Sequence, residues 1–323
     1  DGSLSVSGVF TEDESSSWSS TGGDFICLGS GSTTIANGSP DLTFNNMTIK
    51  SGATVTLQET STEDIILFGD LTIEPTAEFT IEAPAGGGNV TKIDIGGDFT
   101  LEGDITGKAS FVNLGTITEY GTTSMESYYV DGRWHFVSSP VTAAVTNVFL
   151  DLYLQDFDET TNSYSDFIVG TNIPLTPGKG WSLWTTTGNP TVTYVGGILN
   201  NGDISPALTA TDQNTDLSIA ADEGYNLVGN PYPSAIDIGT ENDPVSGYTW
   251  TNLDNTIYCW NGTGWAAFNR AGDGLGTNGG TRYIPSLQGF FVKANDFSPA
   301  LTIPNTAKLH SSQANYKGTD DLS

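Results

Sequence analysis

Of the seven tryptophans in the chain, five fall in its second half, at Trp181, Trp184, Trp250, Trp260 and Trp265, with Tyr258 and Tyr283 close by. An aromatic ring held at a surface stacks on the apolar face of a pyranose, and Asn or Asp side chains take up the sugar hydroxyls. Aromatics at alternate strand positions also build sandwich cores, because Trp is highly buried on average. Trp265, between a Gly-rich turn and alanines, leaves both readings open. The candidate contact residues are therefore Trp265, Trp250 and Tyr283, with Asp273 and Asn278 from the glycine-rich loop at 269–281.

Other chemistries find little to stand on. The two histidines, His135 and His310, have neither a second histidine nor a cysteine at ligand spacing, so no zinc site is indicated. There is no G-x-S-x-G elbow and no phosphate-binding glycine loop. Carboxylates are so frequent that no glycosidase pair can be singled out. A solenoid lyase acting on acidic sugars needs cationic stabilisation, and Lys92 and Lys108 stand almost alone in their region. Calcium has two openings, a Glu74–Glu102 stack and the 269–281 loop. The stack is one pair without a supporting glycine-aspartate loop, the 269–281 loop lacks the alternating acids and closing glutamate of an EF-hand, and no cofactor is expected beyond these weak openings for calcium.

The charge balance points the same way. Ten Lys and Arg against 38 Asp and Glu give a net charge of −28, which repels nucleic-acid backbones and anionic lipid. No run of eighteen apolar residues occurs, so no membrane insertion is expected. Cys27 and Cys259 read as buried thiols rather than as a disulfide. The chain starts at Asp1 and its methionines are Met47 and Met125, so an excised product is expected, continuing beyond Ser323.

The elements that must position these residues are strands. From Phe25 to about Tyr120 the hydrophobic period is two, and Asn46–Lys50, Asp70–Glu74 and Asp98–Glu102 align without gaps. Strand repeats of this length form a solenoid. Met47, Leu71 and Phe99 should then stack in one interior column and Ile49, Ile73 and Leu101 in another. Thr48, Thr72 and Thr100 fall outside, a flat ladder that could face a regular lattice or simply suit exposed strand positions. Beyond residue 129 two stretches match, Gly132–Val141 (GRWHFVSSPV) and Gly224–Asp237 (GYNLVGNPYPSAID), and the segments that follow match in order. Asp151–Asp158 corresponds to Asn255–Asn261, Pro174–Trp181 to Ile284–Phe290, and Thr191–Tyr194 to Ala300–Ile303. Ser234–Asp237 suggests a single helical turn.

The expected fold is all-β: a short parallel β-solenoid followed by an antiparallel β-sandwich region with internal duplication. The divisions are a cap or lead-in at 1–22, the solenoid at 23–128, sandwich modules at 129–215 and 216–310, and a tail at 311–323. Residues 1–22 and the second region are expected to cover the solenoid's open ends, which otherwise invite edge-to-edge assembly.

The stretches GYNLVGNPYPSAID, TIYCWNGTGW (Thr256–Trp265), IPSLQGFFVKA (Ile284–Ala294) and Lys308–His310 together resemble the region preceding the sorting domain in large secreted Bacteroidota proteins exported by the type IX secretion system. That resemblance implies a place outside the cell or on its surface, and no reaction. The functional expectation is a non-catalytic structural or adhesive surface protein that associates with itself or with surface glycans. The alternative is the carbohydrate-binding portion of a secreted polysaccharide-degrading protein.

Overall fold

The computed structural model describes residues 4–6, 10–11, 24–28, 32–36, 42–58, 65–84, 91–168, 172–186 and 188–313. The chain forms two compact units, one of residues 1–128 with 193–199 and one of residues 129–192 with 200–323. The first is the solenoid. Among the described residues its coil strands fall in three sheets, one on each wall, of seven members (counting Thr191–Val195 at one edge), five and four, and Gly103–Asp104 with Gly107–Lys108 form a separate hairpin. Pairing along the walls is parallel and in register: Met47 lies beside Leu71, and Leu71 beside Phe99. All three are buried, as are Ile49, Ile73 and Leu101 in the next column, so both expected columns are present. A fully buried side chain of this kind contributes about 1.5–3 kcal/mol, which is how three-residue strands hold a wall together.

The coil-to-coil spacing is set at one corner by a polar ladder. Asn46 Nδ2 donates to Asp24 Oδ1, and Asn46 Oδ1 accepts the Asp70 amide, both at 2.8 Å. Asp70 Oδ1 accepts the Asp98 amide, and Asp98 Oδ1 accepts the Thr122 amide, again at 2.8 Å. Outside the wall Lys50 Nζ lies 2.5 Å from Glu74 Oε1. Burial, then Glu126 and Glu74 above and below, raise the pKa of Glu102. Part of the expected lead-in is itself coil: Leu4–Val6 pairs with Phe25–Cys27, and Phe10–Thr11 with Ile35–Ala36. The rest of residues 1–22 lies outside the described residues. Cys27 and Cys259 are free and buried, and burial pushes the Cys27 thiol up to about 12.

Residues 193–199 depart from the expected boundaries. They count with the first unit, where the strand Thr191–Val195 lies beside Thr123–Tyr128. The matching strand Ala300–Thr302 pairs with Thr249–Thr251 instead. Otherwise the duplication holds, and both modules fall in one unit. Arg133–Val137, Trp181–Thr185 and Tyr153–Gln155 form one antiparallel sheet in that order. Their counterparts Tyr225–Gly229, Gly289–Ala294 and Leu253–Trp260 begin a second sheet in the same order, extended by Trp265–Asn269 and Leu275–Thr277. Gly132 and Gly224, which open the two copies, both have left-handed backbones, at φ +65° and +76°.

The corners that follow are polar and buried. Asn230, fully buried, directs its amide nitrogen at the carbonyls of Ser234, Ile284 and Pro285, at 2.8, 3.1 and 2.9 Å. Its side-chain oxygen accepts the Tyr232 amide at 2.9 Å. Asn200 Nδ2 joins the two copies, donating to Ser139 O at 3.0 Å and Pro231 O at 2.8 Å. The copies come so close that a Cβ on Gly229 would lie 2.3 Å from Ser138 Cβ. The helical turn expected at Ser234–Asp237 is absent. Ala235–Asp237 is a strand between Tyr283–Ile284 and Lys308–Leu309, because pairing on both sides outweighs a weak local preference.

Two outcomes follow. Asn230→Ala should cost roughly 3–5 kcal/mol by urea denaturation, since several buried polar groups lose their partner at once. Asn230→Asp should cost more, because it turns an acceptor towards three carbonyls. Lys308 is buried over the Tyr232 ring, donates to Asn201 Oδ1 at 2.7 Å, and has its pKa pushed down to about 7 by burial. Between about pH 7 and about pH 10 the unfolded chain then binds the extra proton, so this group's contribution to stability rises with pH. The stability difference between the parent and Lys308→Met should change across that window. A difference that stays constant would refute the assignment.

Candidate functional site

The two faces of the sheet built on Tyr225–Gly229 have different tasks. One carries Val228, Phe290, Val292, Ile257, Cys259, Ala266 and Phe268 into the main core of the unit. The other carries Leu227, Phe291, Tyr225, Tyr258 and Trp260, packed with Phe136 and Phe157. Alternation puts them there: Leu227 faces Phe291, which faces Tyr258 on the next strand, and Trp265 faces Trp260.

On this second face lies a cleft of about 500 Å³, lined by Phe157, Asn162, Tyr164, Ala221, Asp222, Tyr225, Tyr258, Trp265 and Phe291. The rings hold one another edge to face. Phe157 meets Phe291 at 4.9 Å and Tyr164 at 5.1 Å, and Trp265 meets Phe291 at 5.7 Å and Trp260 at 5.6 Å. Trp265 is nonetheless 48% exposed and Tyr164 40%. Burial pushes the Tyr164 phenol up to about 12 and raises Tyr225, so both hydroxyls are neutral donors near neutral pH. Among the described residues Asp222 is the single ionisable carboxyl in the lining.

Two buried carboxylates fix the polar wall. Glu159 Oε1 accepts the Thr211 amide at 2.7 Å, and Glu159 Oε2 accepts the Thr211 hydroxyl at 2.9 Å. Glu223 Oε1 and Oε2 accept the amides of Gln213 and Ala220 at 3.1 and 2.9 Å. Asn162, left-handed at φ +48°, donates to the Asp222 carbonyl at 3.0 Å. The segment between holds Asp212, Asn214, Asp216 and Glu223 in the order of an EF-hand calcium loop, with Leu217 at φ +68° where that loop has glycine. Sequence reading sought that order at 269–281 and passed over it here. Asp212 accepts the amides of Thr215 and Leu217, at 2.6 and 2.7 Å, so its carboxylate braces the loop. Among the described residues no three His, Cys, Asp or Glu side chains converge on a common point.

Of the candidate contact residues, Trp265 lines the cleft and the others do not. Asn278 stands behind it, donating to the Trp265 carbonyl at 3.1 Å. Trp250 lies under the Arg270 guanidinium at 4.5 Å and donates its indole N–H to Asp254 O. Asp273 accepts from Asn242 at 2.7 Å, and Tyr283 belongs to the sheet edge beside Asp237. The 269–281 loop contains a strand, Leu275–Thr277, paired with Ala267–Asn269. Glu74, proposed in the carboxylate stack, is engaged by Lys50. Sequence reading missed Phe157, Asn162, Tyr164, Asp222, Tyr225 and Phe291. Alternation within Tyr225–Gly229 and Leu253–Trp260 was the signal for two of the rings, since Tyr225 and Tyr258 sit opposite in phase to Val228 and Ile257.

Glu159→Ala should lower stability by about 2–3 kcal/mol and speed amide exchange over residues 211–223, leaving the solenoid strands unchanged. Uniform exchange throughout the unit would overturn the role given to Glu159.

No curated protein and no solved structure matches the chain. One family does, over residues 26–319, and it is described as a domain of unknown function, DUF8693. That match spans both the solenoid and the aromatic cleft, and the chain belongs to this family.

Proposed function

We propose that the protein is a non-catalytic adhesive component of an extracellular surface and that it grips glycans through the aromatic cleft of its second unit. One observation carries this reading: six aromatic rings converge on one concavity, with Trp265 half-exposed at its edge. Rings held in this way stack on sugar faces while phenol hydroxyls, Asn162 and Asp222 address the ring oxygens and hydroxyls. The nearby acids Glu159 and Glu223 are spent on backbone amides, which favours holding over cleavage, because glycoside hydrolysis by the common route uses two free carboxylates. The net charge of −28 favours a neutral partner over an anionic one. The likeness to type IX secretion cargo of Bacteroidota supports an exported location.

Screening on a glycan array, followed by calorimetry on the hits, tests the proposal. Trp265→Ala should weaken binding at least about tenfold, with the thermal midpoint little changed. A null array, or binding that survives both Trp265→Ala and Tyr225→Ala, would sink it.

A further inference from the structure

Resting on that reading, we infer that the cleft is one end of a longer track and that its ligand is a neutral polysaccharide held along its chain, not a sugar terminus. The carrying observation lies on the neighbouring sheet of the same unit. Trp134 stands directly opposite Trp184, and Trp184 directly opposite Tyr153, on three adjacent strands. Adjacent strands lie about 4.8 Å apart, so these rings form a row across the sheet and not a single contact. Phe167 packs at one side of the row, 6.4 Å from Trp134 and 4.9 Å from Tyr153. Tyr153 and Phe167 are 43% and 48% exposed, and Trp134 and Trp184 are partly exposed.

The row runs into the cleft. Phe136 follows Trp134 by two residues, hence on the same face and about 7 Å along the strand. Phe136 in turn meets Trp265 at 5.9 Å and Phe291 at 5.4 Å. Partly exposed rings thus lie on both sides of a join, Tyr153, Trp184 and Trp134 on one side and Trp265 with the cleft wall on the other, and Phe136, itself buried at 5% exposure, supports the join from beneath. A monosaccharide or chain end would fill the cleft alone and leave the row without purpose as a contact. A chain lying across the join touches both.

Charge selects among chains. Arg133 and His135 alternate with Trp134 and so fall on the other face of their strand. Among the described residues the cleft lining carries the charge of Asp222 and no cation, and the whole protein is at −28, so uronic or sulfated chains meet repulsion there. The occupant that fits is a neutral glycan presenting pyranose faces in succession.

The test uses the full chain and ladders of cello-, laminari-, xylo- and manno-oligosaccharides, from disaccharide to hexasaccharide, with calorimetry as readout. In one ladder affinity should climb with length and then level off. Trp134→Ala with Trp184→Ala should leave the short members unchanged and weaken the long ones roughly threefold to tenfold. Tyr153→Ala, at an exposed position that tolerates truncation, should do the same to a smaller extent. Trp265→Ala should weaken every length. Affinity independent of length, or long-chain binding indifferent to the Trp134 and Tyr153 variants, overturns the track and leaves the cleft as a glycan site. Binding to none of the neutral ladders, with binding instead to polyanionic or cationic polymers, overturns the track and the cleft's assignment together.

Discussion

One carboxamide, that of Asn230, sets the geometry from which the second unit is built. The chain turns there out of Tyr225–Gly229 through two prolines, which fix φ and carry no amide hydrogen. The carbonyls of Ser234, Ile284 and Pro285 all turn towards this side chain in the interior, where a polar group left without a partner costs about 1–3 kcal/mol. Only a side chain with both donors and an acceptor can meet them and also take the Tyr232 amide. The backbone amide of Asn230 bonds Gln288 O, one residue before Gly289 pairs with Gly229. The corner thereby fixes the register that puts Leu227 opposite Phe291. A slip of one residue would turn Phe290 into the cleft and Phe291 into the core.

The solenoid solves the same problem by repetition. Its corner must hand a backbone amide from each coil to a fixed acceptor in the one before, and a short carboxylate or carboxamide reaches it. Asn46, Asp70 and Asp98 fill that role in turn. In the second unit Asp212, Glu159 and Glu223 accept backbone amides as well. The acidity of the chain is therefore of two kinds. Some carboxylates face water, and others are fasteners for loops. Net charge alone does not separate them.

This division explains what could be read from the residues. The columns through Met47, Leu71 and Phe99 were legible because a period of two, repeated at a fixed interval, leaves one consistent stacking. The duplication was legible because glycines, prolines and aromatics recur in order, and the strand order of the two sheets repeats with them. The partner of Thr191–Val195 was not legible: T-V-T-Y-V specifies which residues face inward and says nothing of which strand lies beside it. Trp265 was legible from its turn, whereas Trp250, a candidate by residue type alone, lies under the Arg270 guanidinium. Phe157, Tyr164, Asp222 and Phe291 come from separate segments with no common spacing, so their convergence is a property of the fold alone.

The second face of the Tyr225–Gly229 sheet buries Leu227 and Phe291 against Phe136 but leaves further rings at its margin partly exposed. The opposite face already buries Val228, Phe290, Val292, Ile257 and Phe268 in a continuous core. A face needed only for solubility would carry polar residues in phase with Tyr225, Tyr258 and Trp265, as antiparallel sheets with one wet side commonly do. On the proposed reading, half-exposed Trp265 at the margin of these rings is a contact residue, as exposed apolar patches rimmed by polar groups commonly are. The rings are already braced against one another, so little side-chain freedom remains to be lost when a ligand stacks on them. Rigidity of this kind gains nothing for a surface that touches only water. It raises affinity for a flat, repetitive partner, because each added ring contact arrives with its ordering cost already met by the fold.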